Sequence, residues 1–178
     1  FAIIVRMDTI EGRPGGLEEE ETLVMARLLE SYGADALNIS AGTYGAWDVI
    51  VPPASWPQGW NAKACRRIRE AVHIPVMLAG RFTDPFMIEH TIERGDADFI
   101  CLGRQSIADP EFPNKMAGGL LDEIIYCTGC TQRCMSFNDH DLLQEGDWGI
   151  SCMFNPMSNH RQDVRYAPAE RPKKVMVV

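Results

Sequence analysis

No run of eighteen apolar residues occurs in this chain, and no charged start leads into an apolar signal core. Neither a membrane span nor an export signal is therefore expected, and the expected location is the cytoplasm. Cysteine is sparse. Six in 178 residues falls well short of a disulfide scaffold, and in a reducing compartment clustered thiols are better read as metal ligands. Clustered positive charge is missing too: the 17 Lys and Arg are scattered among 25 Asp and Glu, and a net charge of −8 argues against a general nucleic-acid binder. The 4 His share no ligand-like spacing, so no role is expected for His73, His90, His140 or His160. The opening FAIIVRMD lacks an initiator Met and the closing KKVMVV reads as a strand, so the chain is expected to be a piece of a longer protein.

What is present, 46% apolar and 24% charged residues, suffices for one good core. Residues 2–5, AIIV, form a short apolar run that fits a strand buried on both faces. After the loop EGRPGG, residues 17–33 carry Met25, Leu28, Leu29 and Tyr32 at helical spacing and end on Gly33. ALNIS (36–40) makes a second strand, and a long loop with Gly, Pro and three Trp runs to Trp60. NAKACRRIREAV then sets Ala64, Ile68, Ala71 and Val72 on one helical stripe behind Asn61 as a candidate cap. The third strand is IPVMLAG, followed by TDPFMIEHTIERG with Asp84 as cap, Pro85 at the first helical position and Gly95 past the end. DFICLG is the fourth strand, with a helical region over residues 110–124.

Such alternation means parallel strands with right-handed crossovers. YGADALNIS and RGDADFICLG repeat one boundary, from a helix-ending Gly through an Asp into a buried strand. With no sign of a reversed strand order, half of an eight-stranded (β/α) barrel is favoured over a doubly wound sheet, which periodicity alone leaves open. Residues 153–172 are polar and proline-spaced and read as a linker, which makes 173–178 the first strand of a further domain.

Two strands end on the same dipeptide, Gly80-Arg81 and Gly103-Arg104. Glycine lets backbone N–H groups approach an anion and Arg adds a bidentate fork, so the pair is a candidate phosphate clamp; the alternative is two ordinary loops. Arg6, at the carboxyl end of the first strand, can stabilise negative charge on a cofactor or substrate oxygen, or can pair with Asp8 or Glu11. The strongest signal is Cys127, Cys130 and Cys134, spaced C-x2-C-x3-C, with Cys152 following. Four thiolates can close a zinc site, but one tight run plus a remote fourth ligand suits a four-iron cluster better. Cys65 and Cys101 lie within a helix and a strand and are expected in the core as small hydrophobes.

VRMD, AGRFTDP, DFICLGRQSIADPEF, CTGCTQRC and SCMFNP together resemble the iron–sulfur flavoprotein branch of the old yellow enzyme superfamily, the group of 2,4-dienoyl-CoA reductase and 2-enoate reductase. The resemblance covers nearly the whole chain. It implies an α/β fold: residues 1–126 as strands five to eight of a TIM barrel, 127–152 as the iron–sulfur segment, and 173–178 as the entry to a dinucleotide-binding domain. It places FMN on Arg6, Gly80, Arg81, Gly103 and Arg104, and a 4Fe-4S cluster on Cys127, Cys130, Cys134 and Cys152, with FAD and NAD(P)H in the downstream domain. The implied reaction is reduction of an activated alkene of enoate or enoyl-CoA type. The family's Tyr proton donor belongs to strands absent here, so the chain alone is expected to be inactive. At the place of the dienoyl-CoA reductases' pocket His the nearest match is Tyr44, as proton donor or as pocket wall. The competing class is a non-catalytic zinc- or cluster-bearing electron-transfer module. A half-barrel also leaves strand edges and apolar side chains uncovered, so the isolated chain is expected to self-associate, most simply as a two-fold dimer.

Overall fold

The computed structural model describes residues 1–135, 150–158 and 170–176. Four parallel strands, β1 (Ile4–Asp8), β2 (Ala36–Ser40), β3 (Val76–Leu78) and β4 (Phe99–Ile100), lie side by side in chain order. A doubly wound sheet reverses its strand order at a switch point, whereas a barrel adds each strand beside the last. The sequential order is that of a barrel sector.

The crossovers contain α1 (Glu19–Ser31), α2 (Trp47–Ile50) with α3 (Ala62–Ala71), and α4 (Pro85–Glu93); α5 (Arg104–Ala108) and α6 (Phe112–Ala117) follow β4. Asp84 accepts a hydrogen bond from the Phe86 N–H and Pro85 opens α4, as the spacing predicts. Gly33 and Gly95 both sit at positive φ just past a helix, the conformation that makes glycine the natural stop. Asn61 precedes α3 without capping it: its side-chain N–H donates to the Ala79 carbonyl, 3.1 Å away.

Strand register separates two faces. The rows Val5–Leu37–Val76 and Met7–Ile39–Leu78–Ile100 belong to the main core, where Ala26, Cys65, Ile68 and Phe112 also lie. The row between them, Arg6–Asn38–Met77–Phe99, points the other way and is poorly covered, with Phe99 55% exposed. In a closed barrel this face is the interior.

Several expectations need correction. The first strand is Ile4–Asp8 rather than 2–5, because pairing follows the register with β2, and Ile4 is 53% exposed. On α1 the fully buried positions are Thr22 and Ala26, while Leu28 and Tyr32 stand 47% and 83% exposed: the sheet takes only a narrow stripe of this helix. On α3 the buried stripe is Ala62, Cys65 and Ile68, with Val72 just past its end; Ala64 and Ala71 are half-buried. Burial pushes the Cys65 thiol up to about 12, with Asp96 adding to the effect, so it stays an inert core group. The expected linker overlaps residues 159–169, which with His160, 136–149, His140 and 177–178 lie outside the described residues. Among the described residues no helix is long and apolar enough to cross a membrane.

Candidate functional site

A cavity of about 230 Å³ opens where the strands end. Its wall holds Arg6, Gly80, Arg81, Gly103 and Arg104, all five candidate cofactor residues, together with Ser40, Cys101, Gln105 and Cys127. The long loop after β2 closes over β3: the Gly59 N–H donates to the Gly80 carbonyl, and Gln58 Oε1 accepts from the N–H groups of Thr83 and Asp84.

Arg6 is held by two hydrogen bonds, Nη1–H to Asn38 Oδ1 at 2.7 Å and Nη2–H to Ser40 Oγ at 2.8 Å. These bonds, rather than pairs with Asp8 or Glu11, fix its guanidinium on the open face of the sheet. The Asn38 amide in turn donates to Cys101 Sγ at 3.3 Å, linking β1, β2 and the residue just past β4 across that face. Cys101 is therefore a wall residue of the cavity and not a core hydrophobe; burial raises its thiol, and Arg6 and Asn38 pull it partly back.

Arg81 and Arg104 bring two cations to one cavity. Burial and then the neighbouring Arg104 pull Arg81 below its usual value. Arg104 donates through Nη2 to the Pro52 carbonyl at 2.7 Å, but its Nη1 and the Nε of Arg81 are buried without a partner. Unpaired buried donors on charged groups cost free energy unless something accepts from them, so each of these arginines has a donor left over for an acceptor. Gly103 adds room, because a Cβ there would meet nothing within 4 Å. Gly80 is different: a Cβ would lie 2.2 Å from Asn61 Oδ1, so this glycine serves packing.

Cys127, Cys130, Cys134 and Cys152 ring one small second cavity, bordered also by Arg104 and Arg133. Among the described residues no three potential ligands converge on a point where a single metal ion could be held. Four thiols lining one cavity are a donor set of the kind that zinc or a four-iron cluster uses. Burial pushes the Cys134 thiol up and Arg104 opposes it.

The two cavities share Arg104 and Cys127 as a common wall. The cysteine loop is tied to the first cavity's rim by the Ala54 N–H donating to the Gly129 carbonyl at 3.1 Å. Tyr44 is not brought to either cavity: it is 80% exposed and packs edge-on against Trp47, with ring centroids 5.6 Å apart. Asn38, Cys101 and Gln105 escaped sequence reasoning. For Asn38 the available signal was a single amide at the centre of the strand ALNIS, between the apolar Leu37 and Ile39.

Residues 1–123 match the NADH:flavin oxidoreductase / NADH oxidase family. The whole chain is 33% identical to an NADH oxidase of Thermoanaerobacter brockii, covering 27% of that protein. A cinnamate reductase of Clostridium sporogenes is 31% identical over 92% of the chain, which covers 24% of it. Among solved structures, a 2-naphthoyl-CoA reductase in complex with 2-naphthoyl-CoA superposes on 90% of the chain with TM-score 0.78 and 25% identity, and the chain covers 24% of it. The chain thus spans about a quarter of the length of these three relatives.

Proposed function

Since the chain belongs to the NADH:flavin oxidoreductase / NADH oxidase family, we propose that it forms the phosphate- and cluster-binding part of an FMN- and 4Fe-4S-dependent reductase of activated alkenes. The observation that carries this reading is the shared wall: two arginines with unpaired buried donors face one cavity, and one of them borders the four-cysteine ring. The names of the cinnamate and 2-naphthoyl-CoA reductases point to conjugated acids or their thioesters as the substrate class.

When bound, FMN supplies hydride transfer and the cluster single-electron relay. This chain's residues bind and orient them. Arg81 and Arg104 offer charge-assisted hydrogen bonds to the FMN phosphate, and Gly103 leaves its approach open. Arg6, clamped by Asn38 and Ser40, would hold a fixed positive charge for the flavin without having to reorganise. Cys127, Cys130, Cys134 and Cys152 are the thiolate ligands, with Arg104 and Arg133 offsetting their negative charge. FAD and NAD(P)H belong to a downstream part of the protein.

The test is flavin and iron content of the full-length protein purified anaerobically, followed by NAD(P)H-driven reduction of cinnamate-type acids. Both cofactors should be present, and Cys130→Ala should lose most of its iron and the NAD(P)H-driven activity. Unchanged iron per chain in that variant would end the cluster assignment, and protein free of flavin would end the whole reading.

A further inference from the structure

The geometry points to Gln105 as a positioning residue that ties the cysteine site to the anion site through α5. This rests on the function proposed above. Gln105 is 1% exposed, and a side-chain amide that deep must satisfy both its donor and its acceptor. It does so on one short stretch of backbone: Nε2–H donates to the Ile125 carbonyl at 3.0 Å, and Oε1 accepts from the Cys127 N–H at 2.9 Å. The amide acts as a one-residue strand partner and fixes the chain on both sides of Tyr126 as it enters the first thiol ligand.

Its neighbour Arg104 lines both cavities, so consecutive residues of one helical turn face the phosphate site and bracket Cys127. The far end of the same turn holds the other end of the cysteine set. Asn155, three residues after Cys152, is buried and donates through Nδ2 to the Ala108 carbonyl at 2.8 Å. Helix α5 is thereby fastened to the segments carrying the first and last cysteines, and Gln105 is the fastening that touches a ligand's own peptide group. Groups that orient a metal ligand typically change metal retention by about 10–100-fold when removed.

The experiment uses full-length holoprotein. Gln105→Met keeps side-chain length and removes both hydrogen bonds. It should retain far-ultraviolet circular dichroism, release iron to a chelator roughly 10–100-fold faster, and alter the electron paramagnetic resonance spectrum of the reduced iron that remains. Wild-type iron release with a wild-type spectrum would overturn the inference, as would parallel loss of FMN, iron and helical signal. Gln105→Glu keeps an acceptor for the Cys127 N–H but sets an oxygen in place of the donor against the Ile125 carbonyl, so it disturbs one of the two bonds. Its iron release should fall between wild type and Gln105→Met, and wild-type release from both variants counts against the bracket. Wild-type protein with flavin but no iron would sink the cluster reading first and this inference with it; iron-loaded wild type with indifferent variants sinks this inference alone.

Discussion

Gly80-Arg81 and Gly103-Arg104 end neighbouring strands with one dipeptide, and both guanidiniums line one cavity, yet the backbone treats them differently. Arg104 opens α5 with ordinary helical geometry, and the glycine before it has free space around its missing side chain. Arg81 sits at φ +58, in the left-handed region that non-glycine residues avoid, and the glycine before it is packed against Asn61. One copy is therefore room plus a helix start. The other is a tight corner held by its surroundings, and strain of that kind collects at binding sites.

Removing the cation should show the largest effect. Arg104→Ala should weaken FMN binding by about 1.5–3 kcal/mol, the range for hydrogen bonds to charged groups, and equal FMN retention after exhaustive dialysis would show that no phosphate is held there. Next come the two glycines. Gly80→Ala should lower stability by about 1–3 kcal/mol in urea unfolding, because relief requires moving an Asn61 side chain that is buried and bonded to Ala79. Gly103→Ala should stay within about 0.5 kcal/mol of wild type in the same assay while impairing FMN binding. Equal destabilisation by both would erase the distinction.

Acid should separate the same two ends. Burial by itself would raise the Asp109 carboxyl, but Lys115 at 2.7 Å and the N–H groups of Ile125 and Glu111 outweigh it, leaving Asp109 below the usual carboxylate value. Because the folded value is depressed, its stabilisation is complete above the unfolded value of about 3.9 and is lost as pH falls through the folded value. Arg104's helix ends on this charged anchor, whereas Arg81's corner is held by the neutral Gln58, the Asp84 carboxylate reaching only the next helix through the Phe86 N–H. Hydrogen exchange at low pH should therefore open residues 104–109 and 125–127 before 80–84, and Asp109→Asn should flatten the acid limb of the stability curve.

The sequence made the two ends look equivalent because a dipeptide carries no φ. Where one residue's chemistry decides, the reading worked: Asp84-Pro85 for a helix start, and Gly33 and Gly95 for helix ends. Alternating apolar segments also gave the parallel order. Reading failed where the neighbour across the sheet decides. Cys101 became a cavity wall because Asn38 on β2 bonds it, and β1 moved toward Arg6 because β2 sets its register. Gln105 reaches residues 20 and 22 positions away, a pairing no local pattern encodes. The four-residue helix α2 lay hidden in a loop rich in Gly, Pro and Trp.

Arg81→Gly gives the closest test of the strained corner. Glycine adopts φ +58 freely, and the change also deletes a buried Nε that lacks a partner. Against this stands the greater freedom glycine gives the unfolded chain, worth about 0.4–1 kcal/mol. Left-handed geometry costs an ordinary residue about 1–2 kcal/mol, so the balance favours the variant: the apoprotein should gain up to about 1.6 kcal/mol in urea unfolding. FMN affinity should fall at the same time, because a charged donor has left the phosphate site. A more stable apoprotein with weaker FMN binding would mean that the left-handed Arg81 is retained for the ligand's sake. Loss of stability would mean instead that the Arg81 side chain packs the corner, and the contrast with Arg104 would reduce to backbone shape alone.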